Sequence, residues 1–204
     1  MVMKNRKKIL IISLTLLASF TCAAETVTKG MKKVIDDALD FSVKQSMSMF
    51  YEMKDQKGIL PRTAENGKMI TCESAWWTSG FYPGTLWYCY EYSNDPQIRA
   101  AAEEMTSRVE KQKYTTSNHD VGFIINCSFG NGYRLTHNET YRKVIETAAK
   151  SLSTRFHPVT GCTRSWNSKK WQFSVIIDNM MNLELLNVAS SLTGDNTYYN
   201  MAKS

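Results

Sequence analysis

The chain has 204 residues, 43% hydrophobic and 11% aromatic, which is enough apolar material for a packed core and argues against a disordered chain. Its formal charge of +6 (25 basic, 19 acidic) includes Lys4, Arg6, Lys7 and Lys8, so the rest of the chain carries only 6 − 4 = +2. That balance removes the argument for a nucleic-acid partner.

The four basic residues open a pattern of charge, apolar run (Ile9 to Phe20) and small residues (Thr21-Cys22-Ala23-Ala24). This is the order of a secretory signal, and about twelve apolar residues are too few for a membrane span. The pattern predicts a signal peptide over 1–24, a mature domain over 25–204 and an exported, periplasmic protein. A buried N-terminal helix and a lipoprotein cut before Cys22 are the alternatives. Removal of the signal leaves Cys72, Cys89, Cys127 and Cys162. None has the close spacing of a zinc knuckle, so they read as two disulfides or as four thiols, and the apolar helical settings of Cys89 and Cys127 favour thiols.

Met31, Val34, Ile35, Ala38, Leu39, Met47, Phe50 and Met53 recur at helical spacing and predict one long amphipathic helix over 28–55, its methionines serving as core. Residues 57–73, with Gly58, Pro61 and Gly67, read as a surface loop. Thr78 or Ser79 then caps a helix carrying Pro83 in its first turn and continuing through Leu86, Trp87 and Tyr90. Asp95-Pro96 restarts a helix that reaches about Lys113. After a polar link, Asn118-His119-Asp120 leads into an apolar helix that fades at Gly130 and Gly132. Thr136 and Glu139 have capping-box spacing ahead of a helix through Leu152. Residues 155–173 read as a second long loop. It leads to a helix whose apolar stripe is Ile177, Met180, Met181 and Leu185, and a last helix follows Thr193-Gly194-Asp195-Asn196.

Short links near 94, 136 and 194 alternate with long ones, the arrangement of stacked helical hairpins. All long links then share one end, which brings Trp77, Asp120 and Asp178 to one face. Asp178 is the conspicuous residue, a carboxylate directly after an apolar run. Paired with Asp120 it suits acid-catalysed sugar chemistry, with one carboxyl protonated and the other ionised, while the bland reading makes both acids helix caps. Trp77 and Trp166 lie in the long links as platforms for sugar rings, or else pack as core. His119 has no second ligand at metal-binding spacing and reads as a hydrogen-bonding residue.

Trp77-Thr-Ser-Gly-Phe-Tyr-Pro-Gly84, His119-Asp-Val-Gly-Phe123, Ser165-Trp-Asn167 and Ile176-Ile-Asp-Asn-Met-Met-Asn-Leu183 together resemble the unsaturated glucuronyl hydrolases of glycoside hydrolase family 88, from about Met31 to the C-terminus. The resemblance implies an all-α fold, an (α/α)6 toroid of helical hairpins, incomplete at the C-terminus. It implies a hydrolase that releases 4,5-unsaturated uronic acid from the non-reducing end of lyase-generated oligosaccharides, with no metal or organic cofactor. By that likeness Asp178 is the general acid/base, Asp120 its tuning partner and a ligand for ring hydroxyls, and His119, Trp77 and Trp166 contact the substrate. About six helices and the start of a seventh are fewer than such a toroid holds, so an N-terminal fragment is expected. An unsaturated rhamnogalacturonyl hydrolase and a non-catalytic helical sugar-binding or scaffold protein are the other readings.

Overall fold

The computed structural model describes residues 27–204, so the expected signal segment and Cys22 lie outside the described residues. The chain divides into a unit ending at Ala38 and a unit from Leu39 to Ser204. Helix α1 (Lys29–Met53) is the predicted long amphipathic helix. In the first unit its charged side chains pair one turn apart, Lys32 with Asp36 at 2.5 Å and Lys33 with Asp37 at 2.6 Å. In the second unit Met53 is fully buried, and Met47 and Phe50 pack against the same cluster, so these residues fill core as expected, whereas Met31, Val34 and Ile35 of the predicted stripe are exposed.

Residues 57–73 are not a loop. They form a hairpin of β1 (Ile59–Glu65) and β2 (Lys68–Glu73), with Ile59 opposite Glu73 and Glu65 opposite Lys68. Its turn is Asn66-Gly67, at φ of 50° and 74°, the left-handed backbone that a tight two-residue turn needs. Leu60 is driven fully into the core. Arg108 locks the hairpin to the end of α1, donating to the carbonyls of Lys54 (3.0 Å), Gln56 (2.9 Å) and Ile59 (3.0 Å). A guanidinium satisfies carbonyls that a helix end leaves without partners. The second long link contains another short ladder, β3 (Phe156–His157) with β4 (Cys162–Thr163).

The remaining elements are helical. Helix α2 (Phe81–Ser93) and α3 (Pro96–Ser107) are joined by a two-residue link in which Asp95 accepts from the Gln97 amide at 2.8 Å, the predicted cap. Neither Thr78 nor Ser79 caps α2. Gly80 holds the cap position, and the Ser79 hydroxyl donates instead to the Ser74 carbonyl at 2.7 Å. Helix α3 stops at Ser107, short of Lys113, and residues 110–114 tighten into a 3₁₀ turn. Beyond it, α4 (Val121–Ile125), a π-helical turn (Asn126–Gly130) and α5 (Asn131–Thr136) run without a break, so Gly130 and Gly132 do not end the helix. At Gly132 a Cβ would stand 2.7 Å from the Tyr141 ring, so close packing accounts for that glycine. The predicted capping box is also displaced. Thr136 ends α5, donating to the Gly132 carbonyl at 2.6 Å, and Asn138 caps α6 (Glu139–Ser153) by accepting from the Thr140 amide at 2.8 Å. Last come α7 (Asn179–Asn182), α8 (Glu184–Thr193) and α9 (Asn196–Lys203).

Two clusters make the core of the Leu39–Ser204 unit. Leu86 and Trp87 of α2 meet Ala101, Ala102 and Met105 of α3, with the Trp87 indole N–H donating to the Thr106 hydroxyl at 2.9 Å. Val121, Ile124 and Ile125 of α4 meet Val144, Ile145 and Ala148 of α6 and Leu185 and Leu186 of α8. The cysteines at 72, 89, 127 and 162 are thiols, as their helical settings suggested for two of them. Among the described residues no helix is long and apolar enough to cross a membrane.

Two glycines set the helix starts side by side. A Cβ on Gly80 would stand 2.6 Å from the Ile124 Cα, and one on Gly122 would stand 2.5 Å from the Asn182 Cα and meet the Asn182 carbonyl oxygen. The start of α2 therefore lies on α4, and the start of α4 lies on α7. Gly122→Ala inserts a methyl against main chain that has no rotamer to yield, and overpacking of this kind costs about 1–3 kcal/mol. We expect a lower urea midpoint at unchanged slope; a midpoint equal to that of the wild type would show that the two helices part freely.

Candidate active site

Asp120 and Asp178 each occupy the position before a helix, α4 and α7, where a carboxylate ordinarily accepts main-chain N–H bonds. Neither does so. Both have right-handed helical backbone, at φ of −62° and −64°, and neither side chain makes a capping hydrogen bond. They face a histidine instead. The Nε2 of His119 lies 3.5 Å from the Asp120 Oδ1 and 3.7 Å from the Asp178 Oδ1. The imidazole is 1% exposed, whereas the side chains of Asp120 and Asp178 keep 22% and 34% of their surface. The Asp178 Oδ1 is itself buried and makes no hydrogen bond among the described residues, so the exposed part of that carboxyl is its other side. One oxygen is held inward and the rest can be reached.

The long links build this corner. The His119 amide donates to the Ser165 carbonyl at 2.8 Å, the Ser165 amide donates to the Ser174 carbonyl at 2.8 Å, and the Ser165 hydroxyl accepts from the Ile176 amide at 3.0 Å. Ser165 thereby ties the strand of chain before Asp120 to the one before Asp178. The same pairing sets Asn118 opposite Trp166 and brings the Trp166 ring edge-on to His119, with centroids 6.1 Å apart. Trp77 stands one helix over, against Phe81 (5.8 Å) and Phe123 (6.0 Å), and is 43% exposed. Of the five residues singled out in the sequence, Asp120, Asp178 and Trp166 gather round the imidazole of a fourth, His119, and Trp77 reaches the group through Phe123, one turn beyond Asp120.

The stripe predicted on the Asp178 helix holds only at Leu185, which is buried in α8, and is reversed along α7. Ile177, Met180 and Met181 are exposed, and Asn179 and Asn182 are buried. The Asn182 Oδ1 accepts from the Phe123 amide at 2.8 Å, and the Asn179 Oδ1 meets the His119 Nδ1 at 3.0 Å. These two asparagines escaped the sequence reading, although two amides at positions 1 and 4 after an acid, where core should be, were a usable signal. Arg155, buried with its Nε on the Arg164 carbonyl (2.7 Å) and its Nη1 on the Thr116 carbonyl (2.6 Å), had no such signal.

Burial raises the Asp120 carboxyl above its ordinary value, and the Asp178 charge adds to the rise, while His119 and Arg155 pull the other way. His119, Asp120 and Asp178 each offer one ligand atom, all within 4.8 Å of one another, and are the described residues spaced to hold a small cation. The same spacing suits the exchange of a proton between two carboxyls and an imidazole. A raised folded pKa means that the charged form of Asp120 opposes folding. That cost is absent below the ordinary value of 3.8 and grows as pH rises through the folded value. Asp120→Asn should therefore melt at a higher temperature than the wild type at pH 7, with the gap closing as pH falls; equal melting at both ends would remove the burial argument.

No family model matches the chain. It is 46% identical over 129 residues to an unsaturated glucuronyl hydrolase of Formosa agariphila, covering 62% of this chain and 32% of that protein. It is 34% identical over 175 residues to an unsaturated chondroitin disaccharide hydrolase of Streptococcus pyogenes serotype M1, covering 82% of this chain and 43% of that one. A crystal structure of an unsaturated glucuronyl hydrolase specific for heparin matches with a TM-score of 0.75 and 38% identity, over 82% of this chain and 46% of that one. The chain thus spans less than half the length of these relatives. Over the stretch that it spans, the chain belongs to the unsaturated glucuronyl hydrolase family, and its helical hairpins are those of an α/α toroid.

Proposed function

We propose that this site hydrates the C4=C5 double bond of a 4,5-unsaturated uronic acid at the non-reducing end of an oligosaccharide, so releasing the sugar. The observation that carries the reading is that two helix-start carboxylates forgo capping and both turn to the Nε2 of His119, within 3.7 Å. The names of the relatives support the glucuronyl substrate class over the rhamnogalacturonyl one.

Asp178 is the group that moves protons, because its carboxyl is the more exposed of the two and reaches a substrate from outside. It gives its proton to C4 of the vinyl ether, and the ring oxygen supports the positive charge that forms at C5. Water adds at C5 and its proton returns to Asp178, so the acid is regenerated. The resulting hemiketal opens, and the remaining saccharide leaves as an alcohol. No glycosyl-enzyme bond is needed, so the spacing rule for a nucleophile and acid pair does not apply. Asp120, the deeper carboxyl, binds ring hydroxyls and sets the charge that Asp178 and His119 feel. Trp166 and Trp77 give the sugar flat apolar faces. The basic-apolar-small order of residues 4–24 supports export to the periplasm.

Asp178→Asn keeps the shape and removes the proton. The loss of ultraviolet absorbance from a lyase-generated unsaturated disaccharide should slow by about 10²–10⁴-fold, the usual worth of general acid/base catalysis. Equal turnover by the variant would overturn the role of Asp178. A wild-type chain that neither bleaches the disaccharide nor changes its tryptophan fluorescence on binding it would overturn the functional reading. Trp166→Ala should raise KM more than it lowers kcat, and the reverse pattern would move Trp166 from the sugar platform into the support of His119.

A further inference from the structure

Asn179 has no part in the chemistry proposed above, yet it is 5% exposed and makes two directed contacts. Its Nδ2 donates to the Thr163 carbonyl oxygen at 2.5 Å. Rotating the amide by half a turn would place its oxygen against that carbonyl oxygen, two acceptors in a buried site, so the orientation is fixed. The Asn179 Oδ1 then points at the His119 Nδ1, 3.0 Å away. An amide oxygen accepts only, so the Nδ1 must carry the hydrogen. What the ring offers on its other side follows. Nε2 is the nitrogen free to take up or release a proton, and it is the one that lies between Asp120 and Asp178.

We propose that Asn179 is a positioning residue for this reaction: held by the Thr163 carbonyl, it keeps a hydrogen on the His119 Nδ1 and so reserves Nε2 for the two carboxyls. The inference rests on the hydrolase reading but makes a claim about one nitrogen that can be tested without turnover. The groups facing the ring are few. Asp120 and Asp178 meet Nε2, the charge of Arg155 is felt at Asp120, and Trp166 carries no titratable group. Without Asn179 the ring has no partner fixing its tautomer, and a hydrogen on Nε2 would be drawn to a carboxylate, which blocks that nitrogen as an acceptor.

The test is ¹⁵N NMR of histidine-labelled full chain, with His119 assigned by loss of its signals in His119→Gln. In the wild type the Nδ1 of His119 should bear a hydrogen whether the ring is neutral or charged, and the hydrogen that comes and goes should be on Nε2. Asn179→Leu, of similar size and without an acceptor, should move the neutral ring toward the Nε2–H form. It should also lower kcat on the unsaturated disaccharide by about 10–100-fold, the usual effect of removing a group that orients a working histidine. Asn179→Ala, which removes the acceptor without adding bulk, should move the ring the same way and serves where Asn179→Leu does not fold. A wild-type ring with a bare Nδ1, or Asn179→Leu with wild-type nitrogen shifts, overturns the proposal. If the wild type turns over substrate with a bare Nδ1, the hydrolase reading stands and this inference falls; if the nitrogen assignment holds and no sugar is released, the reverse is true.

Discussion

The arrangement depends on a small set of buried amide contacts between two helix starts. Asn179 grips His119, and Asn182 grips the Phe123 amide and so the first turn of α4. Each is a polar side chain in a site closed to water, where a missing partner costs about 1–3 kcal/mol. The segment before Asp178 and the segment before Asp120 are therefore held in one register. Gly122 is what permits it, because Asn182 occupies the space of a side chain there.

Around this contact the two acids are left free for other work. A carboxylate before a helix has a ready use in accepting main-chain N–H bonds, and the short helix α7, of four residues, would profit from a cap. The backbone of both acids is instead turned in, and their oxygens lie near an imidazole that the solvent does not reach. Asparagines take the load that an acid would otherwise carry. Asn118 supplies the turn at the Asp120 amide at 3.0 Å, and Ser165 holds both approaching strands. At these two helix starts the main-chain bonds thus go to asparagine and serine, and the two carboxylates remain for chemistry.

Periodicity predicted the existence of the long helices α1, α3 and α6, and it was surest for α6, which buries a stripe from Val144 to Leu152. It failed where the local signal was short or the packing polar. The hairpin over 59–73 was written in Asn66-Gly67, but Gly58, Pro61, Gly67 and the polar residues of the segment read as a loop when that turn is disregarded. Gly130 and Gly132 looked like helix breakers, and Gly132 is there because Tyr141 and Trp87 crowd it. The stripe Ile177, Met180 and Met181 pointed to the wrong face, since the neighbour of α7 is a histidine and a helix N-terminus, and those surfaces select amides.

By itself the sequence determined the helical class, the order of short and long links, and four motifs that name the family, because these depend on residue type and spacing along the chain. It also placed Trp77, Asp120 and Asp178 at one end of the hairpins, with Trp166 in a long link beside them. Only the tertiary structure decided that His119 is the hub, that Nε2 faces both acids, and that Asn179 and Asn182 hold them. Those facts rest on distances between segments roughly sixty residues apart, set by glycine contacts and amide orientation, and no local pattern encodes them.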